Sequence, residues 1–239
     1  MTTSGTAAFN LDLNDLIEEA FERCGLELRT GYDFRTARRS LDLLTIEWSN
    51  RGINLWTIEE GEINMVTGQG EYNLPVDTID LISHVIRTDA GNATNQTDLT
   101  ITRISIMTYS NIPNKLITGR PIQVWVDRQS GATQPSGVNA PKIYVWPTPD
   151  DPGSQYKFVY WRLRRIQDAG TGVTTQDIPF RWLNCLVSGL AYYLSMKLPR
   201  AADRVQMLKM QYEEQWKLAS DEDREKAAIS LVPRRQFIG

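Results

Sequence analysis

The stretch DIPFRWLNCLVSGLAYYLSMKLPRAADRVQMLKMQYEEQWKLASDED, Asp177 to Asp223, decides the fold class of this chain. Its first half has hardly any polar face. Trp182, Leu183, Cys185, Leu186, Val187, Leu190, Ala191, Tyr192, Tyr193, Leu194, Met196 and Leu198 cover every side of a helix, which predicts burial all round, in a core or in an assembly. Asp177 is placed to cap that helix and Pro179 to sit in its first turn, where no N–H is needed. Arg181, Asn184, Ser188, Ser195 and Lys197 break the apolar run, so it falls short of the roughly 18 unbroken apolar residues of a membrane span. Leu198-Pro199-Arg200 ends it, since proline disfavours helical geometry in the residue before it. Ala201, Val205, Leu208, Tyr212, Trp216 and Ala219 then recur at spacings of three and four, a second helix with one apolar stripe. Two helices joined so closely are expected to pack as a hairpin.

Upstream, the N-terminal segment shows the same period. Leu13, Leu16, Ile17, Ala20, Phe21 and Cys24 lie on one helical face, with Asn10 or Asp12 available as cap and Gly25 as stop. A further helix is predicted from near Asp33, with Phe34, Ala37, Leu41, Leu44 and Trp48 on one face, ending at Asn50-Arg51-Gly52. From Ile53 the period falls to two and turn-forming residues punctuate short branched and aromatic runs, so the middle of the chain reads as β. Candidate strands are Leu55 to Glu59, Glu62 to Val66, Ile79 to Arg87, Pro121 to Asp127, Lys142 to Trp146 and Gln155 to Leu163. Ile122, Val124 and Val126 are expected to face inward. Leu99 to Tyr109 fits either a strand or a short helix capped by Ser105, and Gln129 to Ala140 a mobile hairpin tip.

The fold class that follows is α+β: an antiparallel helix bundle from the N- and C-terminal segments, with an inserted, mainly antiparallel β region. The expected division is residues 1–52 and 178–228 for the bundle, 53–177 for the β domain and 229–239 for an extended tail.

Composition excludes several functions. The 239 residues carry a formal charge of -3, against the basic excess usual in a domain whose main work is gripping nucleic acid. The cysteines, Cys24 and Cys185, occupy apolar helical positions and read as buried free thiols in a reducing environment. The first residues lack the basic start and apolar core of a signal peptide, so the protein is expected to be made and kept in a cytosol. No cofactor or metal site is expected: His84 has no second histidine or neighbouring cysteine to share an ion, and no Gly-x-Ser-x-Gly elbow accompanies it. The turn Thr67 to Tyr72 has the glycines of a phosphate loop without the helix that must open behind it. Adjacent carboxylates such as Glu18-Glu19, Glu59-Glu60 and Asp150-Asp151 point in different directions and make no acid/base pair.

Three segments remain as candidate contacts. Arg35, Arg38 and Arg39 flank the apolar face of the second helix, either as a solvated flank or as a contact with phosphate or a neighbouring subunit. Tyr156 to Arg165 interleaves aromatic and basic residues. Arg162, Arg164 and Arg165 there either serve a single-strand-binding surface or pair with acidic neighbours or a subunit next door, the second being favoured because β propensity alone accounts for the aromatics. The tail Leu231-Val232-Pro233-Arg234-Arg235-Gln236-Phe237-Ile238-Gly239 cannot continue a helix past Pro233, and its apolar residues suit docking on a partner.

The order of these pieces resembles the head-to-tail adaptor proteins of short-tailed bacteriophages, the tail tubular protein A or gatekeeper family. The residues that carry the likeness are Leu43-Leu44 and Trp48 through Trp56, Gly70 through Pro75, Pro113-Asn114-Lys115, Gly119-Arg120-Pro121, Val145 through Asp150 and Leu186 through Ala191. The resemblance implies a non-enzymatic ring, commonly of twelve subunits, seated in the virion under the portal protein. Double-stranded DNA would pass through its lumen without sequence specificity, and a tail nozzle or tail tube protein, with tail fibres, would attach below. It also implies that Leu231 to Gly239 reaches the portal, and that the protein is synthesised in the host bacterial cytoplasm. Two rival readings stay open, a virion-associated peptidoglycan-cleaving enzyme built on two facing carboxylates and a DNA-binding module using Arg162, Arg164 and Arg165.

Overall fold

A computed structural model describes Gly5, residues 11–52, 55–128, 140–150, 156–171 and 173–224, and the backbone of 133–134 and 137–138. It is a mixed α+β protein. The described residues form two compact units. One takes the chain up to Leu41, Thr171–Thr175 and the chain from Pro179; the other takes Asp42–Gly170 and Gln176–Ile178.

In the helical unit, α1 (Leu13–Arg23) starts where the Asp12 carboxylate accepts from the Asp15 N–H at 2.9 Å. It ends where Gly25, at φ 74°, lets Gly25 N–H reach Glu22 and Leu26 N–H reach Phe21, satisfying carbonyls that the last turn leaves open. Leu13, Leu16, Ile17 and Ala20 are wholly buried, each worth about 1.5–3 kcal/mol for the larger side chains. Helix α2 (Gly31–Arg51), of which Gly31–Leu41 belongs to this unit and Asp42–Arg51 to the other, begins with a reciprocal cap: the Thr30 hydroxyl accepts from Asp33 N–H, and the Asp33 carboxylate accepts from the Thr30 N–H and hydroxyl.

The long apolar helix is shorter than its sequence suggests. Pro179 is extended, Phe180–Trp182 forms a 3-10 turn, and α4 proper is Leu183–Ser195; the intervening α3 (Ile106–Ser110) belongs to the β unit. Asp177 does not cap it, because its carboxylate is taken by Arg164. Burial is continuous from Cys185 to Ala191, as an all-round apolar helix requires. Pro199–Arg204 is a second 3-10 stretch, followed by α5 (Val205–Glu222). The α4–α5 contacts run inward along the pair, from Trp182 edge-on to Trp216 at 4.9 Å to Tyr192 stacked on Tyr212 at 6.1 Å, so the two helices lie antiparallel. Helix α1 joins them through Cys24, whose thiol donates to the Ala191 carbonyl at 3.2 Å. Both cysteines are free and buried.

The β unit has two four-stranded sheets. The first comprises β1 (Ile58–Asn64), β3 (Thr78–Thr88), β4 (Thr97–Thr100) and β10 (Lys157–Arg164), in the order β1-β10-β3-β4. The second comprises β2 (Glu71–Asn73), β5 (Thr102–Arg103), β6 (Gln123–Asp127) and β9 (Lys142–Trp146), in the order β2-β9-β6-β5. Pairing is antiparallel except between β5 and β6. Leu81, Ile86, Phe158 and Tyr160 from one sheet, and Tyr72, Val124, Val126, Ile143 and Val145 from the other, make one shared core. A minor antiparallel pair, β7 (Thr133–Gln134) with β8 (Gly137–Val138), lies within the Gln129–Ala140 segment.

Several elements differ from expectation. Leu55–Thr57 is a 3-10 turn, and the two strands expected around Gly61 are one, β1. A Cβ at Gly61 would stand 2.5 Å from Tyr160 Cζ, so the glycine is where the tyrosine ring crosses the strand. Ile122 precedes β6 and is exposed, unlike Val124 and Val126. Leu99 to Tyr109 turns out to hold both alternatives, with β5 followed by α3 (Ile106–Ser110), whose Ser105 cap accepts from Thr108 N–H.

Candidate assembly and nucleic-acid contact surfaces

Pairing of β1 with β10 sets Glu59 opposite Arg162, and the strand then brings Arg164 within reach of the same carboxylate. Arg162 donates to Glu59 Oε2 at 2.8 Å, Asp77 Oδ1 at 2.6 Å and Thr78 Oγ1 at 3.0 Å. Arg164 donates to Glu59 Oε1 at 2.6 Å and, through both terminal nitrogens, to Asp177, one bond being 2.9 Å. The two guanidinium side chains are only 11% and 12% exposed. Three carboxylates around two guanidiniums leave this cluster net acidic. Burial would raise the Asp77 carboxyl, but the hydrogen bonds and charge of Arg162 prevail and hold it below the ordinary carboxylate range. For Arg164 the bond to Asp177 outweighs burial and raises an already strong base further.

Arg165 differs. It is exposed, and its guanidinium donates to the Val76 carbonyl at 2.6 Å. In the helical unit, Arg35 and Arg39 are exposed on α2 and Arg38 is half-buried, three to four residues apart and so on one face. Arg35 reaches the Gly31 carbonyl and Arg39 the Thr36 hydroxyl, and no described acidic side chain is ion-paired with either. The two arginine groups therefore belong to different compact units. The tail Leu231 to Gly239 lies outside the described residues.

His84 stacks on Phe158 with ring centroids 5.8 Å apart, and both ring nitrogens are buried. Burial, then the nearby Arg103 charge, lowers its pKa. Among the described residues no three His, Cys, Asp or Glu side chains are arranged to hold a metal.

One surface escaped the sequence reading. Trp125 on β6 and Tyr144 on β9 stack at 4.7 Å on the outward face of the second sheet, and Tyr109 from α3 lies on both at 5.4 and 5.5 Å. Lys115 stands over the Tyr109 ring at 5.4 Å. The aromatic pair was legible as the outward alternates of Val124, Val126, Ile143 and Val145; the docking of Tyr109 was not, because it depends on how the loop returns. Ile106 and Met107 of α3, and Leu116, are exposed.

The described residues thus present an exposed arginine group on α2 in one unit and exposed apolar side chains at Ile106, Met107 and Leu116 in the other. The model of the SU10 adaptor protein family matches residues 11–235, and the chain belongs to that family. Membership identifies it as a phage adaptor and implies a place in the virion neck, in contact with portal and tail components. No curated protein matched the chain. No described helix is long and apolar enough to cross a membrane.

Proposed function

We propose that the chain is the structural head-to-tail connector of its phage, a ring of twelve copies seated under the portal and open to passing double-stranded DNA. The family match over residues 11–235 carries this reading. The residues 1–52 and 178–228 supply a helix bundle around the axis, the 53–177 region faces the tail nozzle or tail tube protein and its fibres, and Leu231 to Gly239 docks on the portal. The role is non-enzymatic and needs no cofactor. An overall charge of -3 favours it, since a lumen with many phosphate contacts would retain DNA instead of letting it slide. Ring closure needs heterologous faces, for which Arg35, Arg38, Arg39 and Arg165 are the candidate subunit or DNA contacts. Arg162 and Arg164 are weaker candidates, being engaged by Glu59, Asp77 and Asp177, and the DNA-binding-module reading weakens with them.

Light scattering on a sizing column, with the protein alone and mixed with its cognate portal ring, tests the proposal. A complex of fixed stoichiometry is expected, and deletion of Leu231 to Gly239 is expected to leave the fold intact and stop attachment. Absence of a complex at any reachable concentration would overturn the reading.

A further inference from the structure

Helices α1 and α4 enclose an open groove with an apolar floor and an acidic wall. Leu11, Leu183 and Val187 make the floor; Asp15, Glu18 and Glu22 line one side. The three carboxylates are exposed and spaced at three and four residues, so they form one stripe. The nearest cation does not neutralise them. Arg23 is held by Glu19 at 2.9 Å, the Ser188 hydroxyl at 2.7 Å and Asn184 at 3.0 Å, and no described cation is ion-paired with Asp15, Glu18 or Glu22.

The end of α5 is fixed beside this groove. Asp223 is 7% exposed and its carboxylate is bound by Arg181, two residues before the Leu183 of the floor. Asn184, on the groove's rim, is bonded to Gln215 of α5 at 2.6 Å. The chain beyond therefore starts next to the groove and carries Leu231, Val232, Arg234, Arg235, Phe237 and Ile238, apolar residues around two cations. Ten residues separate Arg224 from Arg234 and reach about 35 Å when extended, whereas the stripe from Asp15 to Glu22 is only about 10 Å long.

We propose that residues 231–238 fold back into the groove of their own chain. Arg234 and Arg235 lie against Asp15, Glu18 and Glu22, and Val232 and Phe237 cover Leu11, Leu183 and Val187. The docking segment of the free protein is thereby stored on its own surface, and any partner that takes the segment must displace it from α1 and α4. This contact does not depend on the adaptor reading.

Trypsin, which cuts after arginine in accessible extended chain, reads the contact in the intact protein. Cleavage after Arg234 and Arg235 is followed by mass spectrometry and normalised to a synthetic peptide of residues 227–239 in the same buffer. Native protein is expected to be cut about tenfold more slowly than the peptide, the scale that two exposed ion pairs reach. Glu18→Gln combined with Glu22→Gln should bring the rate close to that of the peptide. Raising salt from about 0.1 M to 1 M, which shortens screening from ~10 Å to ~3 Å, should do the same to the unmodified chain. The salt titration needs no variant and so stands even if the double substitution misfolds. Equal rates for protein and peptide, or protection indifferent to both salt and Glu18/Glu22, would overturn the proposal. Protection that is lost on dilution would put the tail on a second copy and overturn the same-chain assignment. Loss of portal attachment bears on the connector reading alone and leaves this result untouched.

Discussion

The two compact units differ in how much of their charge is compensated. In the β unit, register brings residues distant in sequence face to face and gives them opposite signs: Arg87 with Asp98, Lys157 with Glu62, Lys142 with Glu71, and the Arg162–Arg164 cluster with Glu59, Asp77 and Asp177. A helix offers a side chain its neighbours three and four positions away, and in the helical unit, beside the compensated pair Arg23–Glu19, some of those neighbours repeat the sign, basic at Arg35, Arg38 and Arg39 and acidic at Asp15, Glu18 and Glu22. Such like-charged pairs cost a few tenths of a kcal/mol each. Compensated charge helps to hold the fold, whereas the single-sign stripes contribute nothing favourable to it.

The largest expected effect bears on packing, where the units should behave alike. Phe158→Ala in the shared β core and Leu190→Ala in α4 both empty fully buried positions and are expected to cost about 3–5 and 2–5 kcal/mol in chemical denaturation. A cost below about 1 kcal/mol at either site would show that its unit tolerates the void.

Charge should then separate them. Asp177→Asn leaves Arg164 without its bidentate partner and is expected to destabilise the protein by about 1–3 kcal/mol, whereas Arg35→Gln on α2 should stay within about 0.5 kcal/mol. Equal effects would erase the contrast. The Asp77 carboxyl adds a pH signature. Its folded pKa is depressed by Arg162, so its contribution is complete above the unfolded value of about 3.9 and is lost as pH falls through the folded one. Urea midpoints measured from pH 6 to pH 2 should therefore drop more steeply for the native chain than for Asp77→Asn.

A helix cap sharpens the helical side. Thr30→Ala removes the reciprocal cap of α2 and should cost about 1 kcal/mol, measurable as a fall of several degrees in melting temperature. No shift would mean that packing alone places the start of α2.

Much of this fold was legible from spacing. Leu13 to Cys24 and Phe34 to Trp48 announce their helices, Asp12 and Gly25 their limits, and the valines of β6 their inward face, because each signal is local. Asp177 was misread for the opposite reason: a carboxylate ahead of Pro179 looks like a cap until a strand thirteen residues earlier delivers Arg164 to it. Gly61 looked like a break because the ring that crosses it comes from Tyr160. The candidate contacts divide in the same way. The stripes on α1 and α2 can be read from periodicity, whereas the enclosure of Arg162 and Arg164 follows from strand register, which no local pattern states.

The buried thiols have a practical consequence for labelling chemistry. Burial pushes the Cys24 thiol up to about 11, against a smaller opposing pull from Arg204, so at pH 7 only about one molecule in ten thousand carries the reactive thiolate, compared with a few per cent for an ordinary thiol. Cys185 is equally enclosed. A single cysteine introduced on the surface would therefore react with maleimide dyes or spin labels in the native protein while both natural cysteines stay in place, and distances from the neck of an assembling particle could be followed without first rebuilding the helical core.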